Sequence, residues 1–324
     1  TIASAAAAAA AGDEIRVCAG DYSEGKIAVN TANLSFYGAQ AGVSAGVGSA
    51  RSEAPAAQES NVNVEFTFNK PFTVIDGFSF SSANRAVYAM GAADGGSVVN
   101  NRFVNTTRGV ASYGDLVEVS NNLFADSSWG VHHDDSGTIG GLVSGNVFRN
   151  LSYAVSSAAH DLELRGNVVT AMKQRAFTLY GYNLTVADNT IDFPSTAAGE
   201  GALTFTGSAR NATVTGNTFT GGGTSIYVIS PATAVVERNS LLGTGLSVVG
   251  TTGPAFAVGP NWWGSASGPY NGLELDATRA TNVTVASWCA DAACTTTRGP
   301  AAAPAAPPAA DGDALDRLHL PDVT

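Results

Sequence analysis

The sequence predicts an all-β chain: a single-stranded right-handed parallel β-helix, a solenoid, with a short N-terminal cap helix. Three observations predict it. One pattern (aliphatic, any, small or polar, Asn, any, apolar) recurs seven times, from "VVNNRF" at 98–103 to "VERNSL" at 236–241. Its asparagines are Asn101, Asn122, Asn146, Asn167, Asn189, Asn217 and Asn239, at intervals of 21, 24, 21, 22, 28 and 22 residues. A second apolar position follows nine residues after most of them, at Val110, Val131, Val155, Ile226 and Val248, and is displaced to Phe177 and Leu203 in the other two repeats. Finally, only 13% of residues are charged. Gly, Ala, Ser, Thr, Val and Asn dominate instead, which disfavours charged amphipathic helices and favours strands and turns.

A period near 22 with short β-type segments and no helical half-repeat fits a coil of short strands, each stacked on the next coil at about 4.8 Å. Ten coils give a rod roughly 45–50 Å long on that spacing. In "VSNNLF", Val119, Asn122 and Phe124 face inward, with a bend between Val119 and Asn122 breaking the alternation. Asn tolerates the left-handed backbone of a sharp corner, and stacked amides hydrogen-bond from coil to coil. The seven asparagines are therefore assigned a structural role. The triplets at Asn105, Asn150, Asn183, Asn211 and Asn282 match glycosylation acceptors, but such a repeat generates them without that purpose.

The elements follow in order. Residues 1–12 read as an Ala-rich cap helix ended by Gly12, covering the open first coil. Residues 13–294 form the β-helix. Cys18 is expected in its first strand, buried, and Cys289 and Cys294 are close enough in "WCADAACT" to staple a loop in an oxidising compartment. "GGGTS" at 221–225 reads as a coil corner rather than a phosphate loop. Trp262 and Trp263 read as packing at the far end. Residues 295–324 form a Pro/Ala-rich linker and C-terminal tail.

Several motifs carry a resemblance. "GDEIRVCAGDYSE" at 12–24 is similar to the opening coil of the pectate-lyase-like right-handed parallel β-helix superfamily. "LSFYGAQAG" at 34–42 with "ES" at 59–60, and "NWWGSASGP" at 261–269, resemble secreted bacterial surface β-helix repeat proteins. Residues 1–290 share the resemblance, which implies the fold and an extracellular or cell-surface location. Calcium-coordinating carboxylates like those of pectate lyases form no clear cluster, and of the polygalacturonase motifs only a paired Asp is present. The mix of Tyr, His, Asp and Arg is closer to alginate epimerases and lyases.

The formal net charge is −11, which excludes the clustered basic surface that nucleic acid requires. No apolar run is long enough to span a bilayer. The most chemically loaded stretch is "WGVHHDDSG" at 129–137. Alternation turns His132 outward, His133 inward between Ser112 and Ser157, and Asp134 outward. The hydroxyls of those serines are expected to satisfy His133. The outward face then gathers His132, Asp134, His160, Arg175 and Tyr180 as candidate catalytic residues. His132 is the base, Asp134 its orienter or a sugar ligand, Arg175 the partner of a uronate carboxylate, and Tyr180 an acid or a stacking platform. Tyr88, Tyr113, Tyr227 and Lys173 are candidate substrate contacts.

Two functions follow. One is a secreted or cell-surface structural module, adhesive or glycan-contacting, within a larger bacterial envelope protein; its partners are polysaccharide or neighbouring copies. The scarcity of charge, the terminal linker and the missing catalytic signatures tilt the sequence toward it. The other is a polysaccharide lyase, epimerase or hydrolase acting on a uronate-type glycan. No cofactor is expected, and calcium would bind only if Asp-Gly corners such as Asp94 and Asp134–Asp135 converged.

Overall fold

A computed structural model describes residues 1–49, 51, 58–81, 84–133, 136–194, 201–229, 232–243, 245–249, 256–271 and 274–300, without the side chains of 247–249. The described residues wind into a right-handed parallel β-helix with three long sheets. The first sheet has ten strands, from Glu14–Arg16 to Ala234–Glu237; the second has ten, from Gly20–Tyr22 to Ser240–Leu241. The third has eleven, from Ile27–Val29 to Ala280–Thr281. A representative coil runs Glu118–Ser120, Leu123–Ala125, Trp129–His133, then a longer corner to Leu142–Ser144 of the next coil.

The interior is a set of stacked columns. Phe80, Phe103, Phe124 and Phe148 stack with centroids 4.7–5.0 Å apart and planes within 7°. Gly130 makes room for this column, because a Cβ there would lie 2.6 Å from the Phe148 ring. Val110, Val131, Val155, Phe177, Leu203 and Ile226 form a parallel column on the third sheet, all fully buried. Its next member is Leu246, not Val248: Val248 pairs with Val228. The coil of Asn239 closes two residues early, so the nine-residue spacing slips there.

The asparagines form a continuous buried ladder. The backbone N–H of each donates to Oδ1 of the next, at 2.8–3.0 Å. Each Nδ2 donates to that same Oδ1 and also to a backbone carbonyl of the preceding coil, as Asn146 does to Asn167 at 3.0 Å and to the Val119 carbonyl at 2.8 Å. Asn261 continues the ladder as a rung beyond Asn239. It belongs to "VGPNWW", the same pattern at the same period.

The left-handed residue is not the ladder asparagine but the one before it: Asn100, Asn121, Gly145, Gly166, Asp188, Gly216 and Arg238, with φ from 55° to 69°. The ladder Asn is thereby freed to turn its amide inward. The glycosylation-like triplets start at other corners, and all five of their asparagines have φ of 54–57°. A corner that selects Asn for its backbone accounts for them.

Helix α1 (Ile2–Ala8) covers the first coil with Ile2 and Ala6, capped by Thr1 and by the Glu24 carboxylate, which accepts from the N–H groups of Ile2 and Ala3. Cys18 is not buried; it follows the strand Glu14–Arg16 and is exposed, while Val17 takes the inward place. An excursion beginning at Gly38 lies against the second sheet. Ala45 packs on Leu123 and Ala125 there, and Arg51 forms a bidentate ion pair with Glu59, the two side chains 2% and 0% exposed. At the far end Trp263 is buried, and Cys289–Cys294 forms a disulfide beside the antiparallel pairing of Trp288–Cys289 with Thr297–Arg298. Ordered pairing thus extends past 294, where the sequence places the start of the linker; residues 301–324 lie outside the described residues.

Asn146→Ala would strand the Asn122 amide donors and the Val119 carbonyl. Each unsatisfied buried group costs about 1–3 kcal/mol, so the variant is expected to lose about 3 kcal/mol or more, read as a lower urea midpoint. Thr190→Ala, on the exposed side of the second sheet, should stay within about 0.5 kcal/mol of wild type. Equal midpoints for the two variants would deny the ladder its stabilising role.

Candidate functional site

The outer face of the third sheet carries several of the candidate residues, and strand register orders them into axial rows. One row runs Arg85, Arg108, Trp129, Tyr153, Arg175 over five successive coils. The next runs Tyr88, Ala111, His132, Ser156, Thr178, Thr204, Tyr227. Trp129 and Tyr153 stack at 4.2 Å with planes 20° apart, and the His132 ring lies 4.6 Å from Trp129. Beside them is a recess of ≈ 300 Å³ lined by Trp129, His132, His133, Ser156, Ala158 and Tyr180.

The structure brings His132 and Tyr180 together in this recess, with Tyr180 42% exposed. Arg175 stands in the row of Trp129, two coils on. Asp134, with Asp135, lies outside the described residues. His160 is around the corner, where its ring stacks on Tyr182 at 3.5 Å and its Nδ1 accepts the Tyr182 N–H at 3.2 Å. Asp94 and Asp115 accept a backbone N–H of the next coil in the same way, at Asp115 and Ile139. His160 thus takes part in the corner scaffold and does not line the recess. Tyr88 meets Tyr113 edge-on at 5.7 Å and lies under Arg85 at 4.0 Å, two coils from His132. Tyr227 is four coils away on the other side, and Lys173 is exposed in the corner before Arg175.

Trp129, Tyr153 and Arg108 are the residues the sequence reading left out. A signal existed: each falls seven residues after its ladder Asn, and Arg175 falls eight after Asn167. Arg85 is engaged by Glu65 at 2.9 Å. Arg108 and Arg175 make no ion pair among the described residues, and the Nε of each is buried without a hydrogen bond. The excursion also holds Gly-Val-Ser-Ala-Gly at 42–46, the spacing of a hydrolase nucleophile elbow. It lacks the strand-to-helix turn, and the Ser44 hydroxyl accepts the Gly46 N–H at 3.1 Å.

His133 points inward in register with Ser112 and Ser157, but neither hydroxyl serves it. Ser157 accepts the Ala159 N–H, and Ser112 faces the Gly114 carbonyl. The His133 Nδ1 has no partner among the described residues. Burial, aided by the neighbouring His132, pushes its pKa down to about 4.

The fold and this face define the class: a parallel β-helix rod whose third sheet turns Arg, Trp, Tyr and His outward. The family described as "NosD: Periplasmic copper-binding protein" matches residues 73–272, and the chain belongs to that family. No curated protein matches it. Among solved structures, the crystal structure of DFA-IIIase from Arthrobacter chlorophenolicus A6 in complex with GF2 is similar. It is 14% identical over 77% of this chain and 83% of that one, with a TM-score of 0.47. The family is described as periplasmic, which accords with an exported β-helix module; no described helix is long and apolar enough to cross a membrane.

The family name raises the question of copper. Among the described residues no three His, Cys, Asp or Glu side chains converge. His132 and His133 are successive on one strand, facing opposite sides of the sheet, and His160 is spent on the corner. Copper prefers several nitrogen or sulfur donors in a defined geometry, and the described residues do not fit such a centre.

The buried imidazole sets a pH dependence. An unfolded chain protonates His133 near 6.5, the folded one only near 4. Between those values the unfolded state holds the extra proton, so stability falls as pH drops through that window and is flat for this group on either side. The loss should approach about 3 kcal/mol. Urea midpoints of wild type and His133→Leu measured from pH 7 to 4 check it; parallel curves would show that His133 is not the cause.

Proposed function

We propose that this chain is an exported β-helix module that contacts glycan, acidic glycan above all, with the outer face of its third sheet. The observation that carries the reading is the axial row Arg108, Trp129, Tyr153, Arg175, a stacked aromatic pair bracketed by two guanidinium groups without carboxylate partners among the described residues. The stacked rings turn one face to each other, so a sugar meets their edges and outer faces, and a guanidinium pairs with a carboxylate in a bidentate fork. Row members about 4.8 Å apart on successive coils suit a ligand lying along the rod, one ring per coil or nearly so. His132 and Ser156 supply hydrogen bonds from the recess, and Tyr180, Tyr88 and Tyr113 extend the surface. Lys173 adds a cation near Arg175, and Tyr227 lies farther along the rod. An adhesive role at the envelope or cell surface would use this surface on a rigid rod.

The second reading, a polysaccharide lyase or epimerase, is favoured by one observation: the His132 imidazole and the Tyr180 phenol share the recess. A base and an acid at one sugar are what β-elimination needs. The row of stacked rings and guanidinium groups extends over four coils, beyond the recess, and weighs toward binding.

The test is binding to immobilised uronate oligomers and neutral glucans, with unsaturated chain ends followed by ultraviolet absorbance. Trp129→Ala should weaken binding to both classes about tenfold. Arg175→Gln should weaken only the acidic class. Unchanged affinity in Trp129→Ala would remove the platform from the account. Unsaturated ends released by wild type and not by His132→Ala would select the enzyme.

A further inference from the structure

The corner between the third and first sheets repeats a left-handed residue. Most coils fill it with residues suited to that backbone: Asn33, Gly95, Gly140, Asp161, Asn183 and Asn211. Two do not. Phe72 has φ 58° and Leu116 has φ 55°, and a bulky side chain is disfavoured there. Both are also the most exposed large apolar residues described, at 59% and 64%. Strain and exposure together oppose stability, and strain kept in a fold clusters at functional positions.

Each strained side chain lies over a glycine of the next coil: the Phe72 ring over Gly95, the Leu116 side chain over Gly140. A Cβ at Gly95 would meet Phe72 at 2.8 Å, so the glycines hold the apolar groups flat and outward. Beside Leu116 is a groove of ≈ 430 Å³ lined by Leu116, Ile139, Gly140, Gly141, Leu142, Asp161 and Glu163. Ile139 is 49% exposed. Acidic residues bracket this floor along the axis. Leu142 pairs with Glu118 of the coil before and Glu163 of the coil after. Asp115 caps the N–H of Ile139, and Asp161 follows on the next coil. Arg165 meets Glu163 at 2.7 Å and is the cation of this patch; the other carboxylates there make no ion pair among the described residues.

We propose that this corner docks a protein segment presenting an apolar side chain flanked by Lys or Arg. The apolar group fills the groove beside Leu116 and Ile139, and the basic neighbours meet Glu118, Asp115 and Asp161. An anionic lipid surface is disfavoured by the same carboxylates. This edge is separate from the glycan-contacting face, so the proposal stands apart from that reading.

The probe is a labelled heptapeptide alternating Lys and Leu, read by fluorescence polarisation, against peptides alternating Glu with Leu and Lys with Ser. The Lys/Leu peptide should bind saturably and the other two should not. Leu116→Asn, whose new residue suits the left-handed backbone, should weaken binding at least tenfold while raising Tm by about 2 °C or more. Glu118→Gln should weaken it several-fold and flatten its salt dependence. The proposal is overturned if the Lys/Leu peptide does not bind, if Lys/Ser binds as well, or if Leu116→Asn binds unchanged. Leu116-dependent self-association in sedimentation would also overturn it, by making a second copy the occupant.

Discussion

The stacked asparagine amides hold every coil in step with the next. A primary amide offers two donors and an acceptor with two lone pairs, and this ladder uses all of them. Each Oδ1 receives the backbone N–H and the Nδ2 of the rung before, and each Nδ2 also reaches a carbonyl of that earlier coil. A sharp corner would otherwise leave those backbone groups buried and unpaired. With the ladder in place the corner is saturated, the inward Phe column falls into stacking contact, and the outward side chains line up in straight axial rows. The row of Trp129, Tyr153 and Arg175 is a by-product of that alignment.

The ends and one side of the rod are covered by other parts of the chain. Helix α1 covers the first coil, and the closing segment around Trp263 and the Cys289–Cys294 disulfide covers the last. The excursion after Gly38 occupies part of the second sheet, anchored by the Arg51–Glu59 pair. A buried ion pair is a costly anchor unless its hydrogen bonds are complete. Here the guanidinium also donates to the carbonyls of Val43, Asn100 and Phe78. The third sheet keeps its strands of five residues and its outward Arg, Trp, Tyr and His.

Three histidines of similar sequence neighbourhood end in different chemistry. His132 and His133 are separated by one step of the pleat, which puts one at the recess and the other inside the coil, where desolvation keeps it neutral. His160 sits at a corner and does what Asp94 and Asp115 do there, accepting a backbone N–H from the next coil. The paired histidines thus belong to the coil interior and to the recess at once. Their separate side chains matter more than the density of polar groups in the run. The same separation leaves the described histidines too dispersed to form a copper centre, whatever other members of the family hold.

The sequence by itself determined the coil. Its period, its inward aliphatic and Phe positions, its ladder asparagines and the inward turn of His133 are local properties, written in alternation and spacing, and each is found where the pattern puts it. Membership of a β-helix class was legible for the same reason. The tertiary structure alone decided what depends on corner length and on lateral packing. It moved the left-handed residue one place before the ladder Asn, slipped the coil of Asn239 from Val248 to Leu246, turned Cys18 outward, and denied His133 its hydroxyl partners. It also set Arg108, Trp129 and Tyr153 in one row with Arg175, and His160 at a corner outside the recess. A repeat fixes which residues face out, but which of them become neighbours depends on how each corner closes against the coil beneath it.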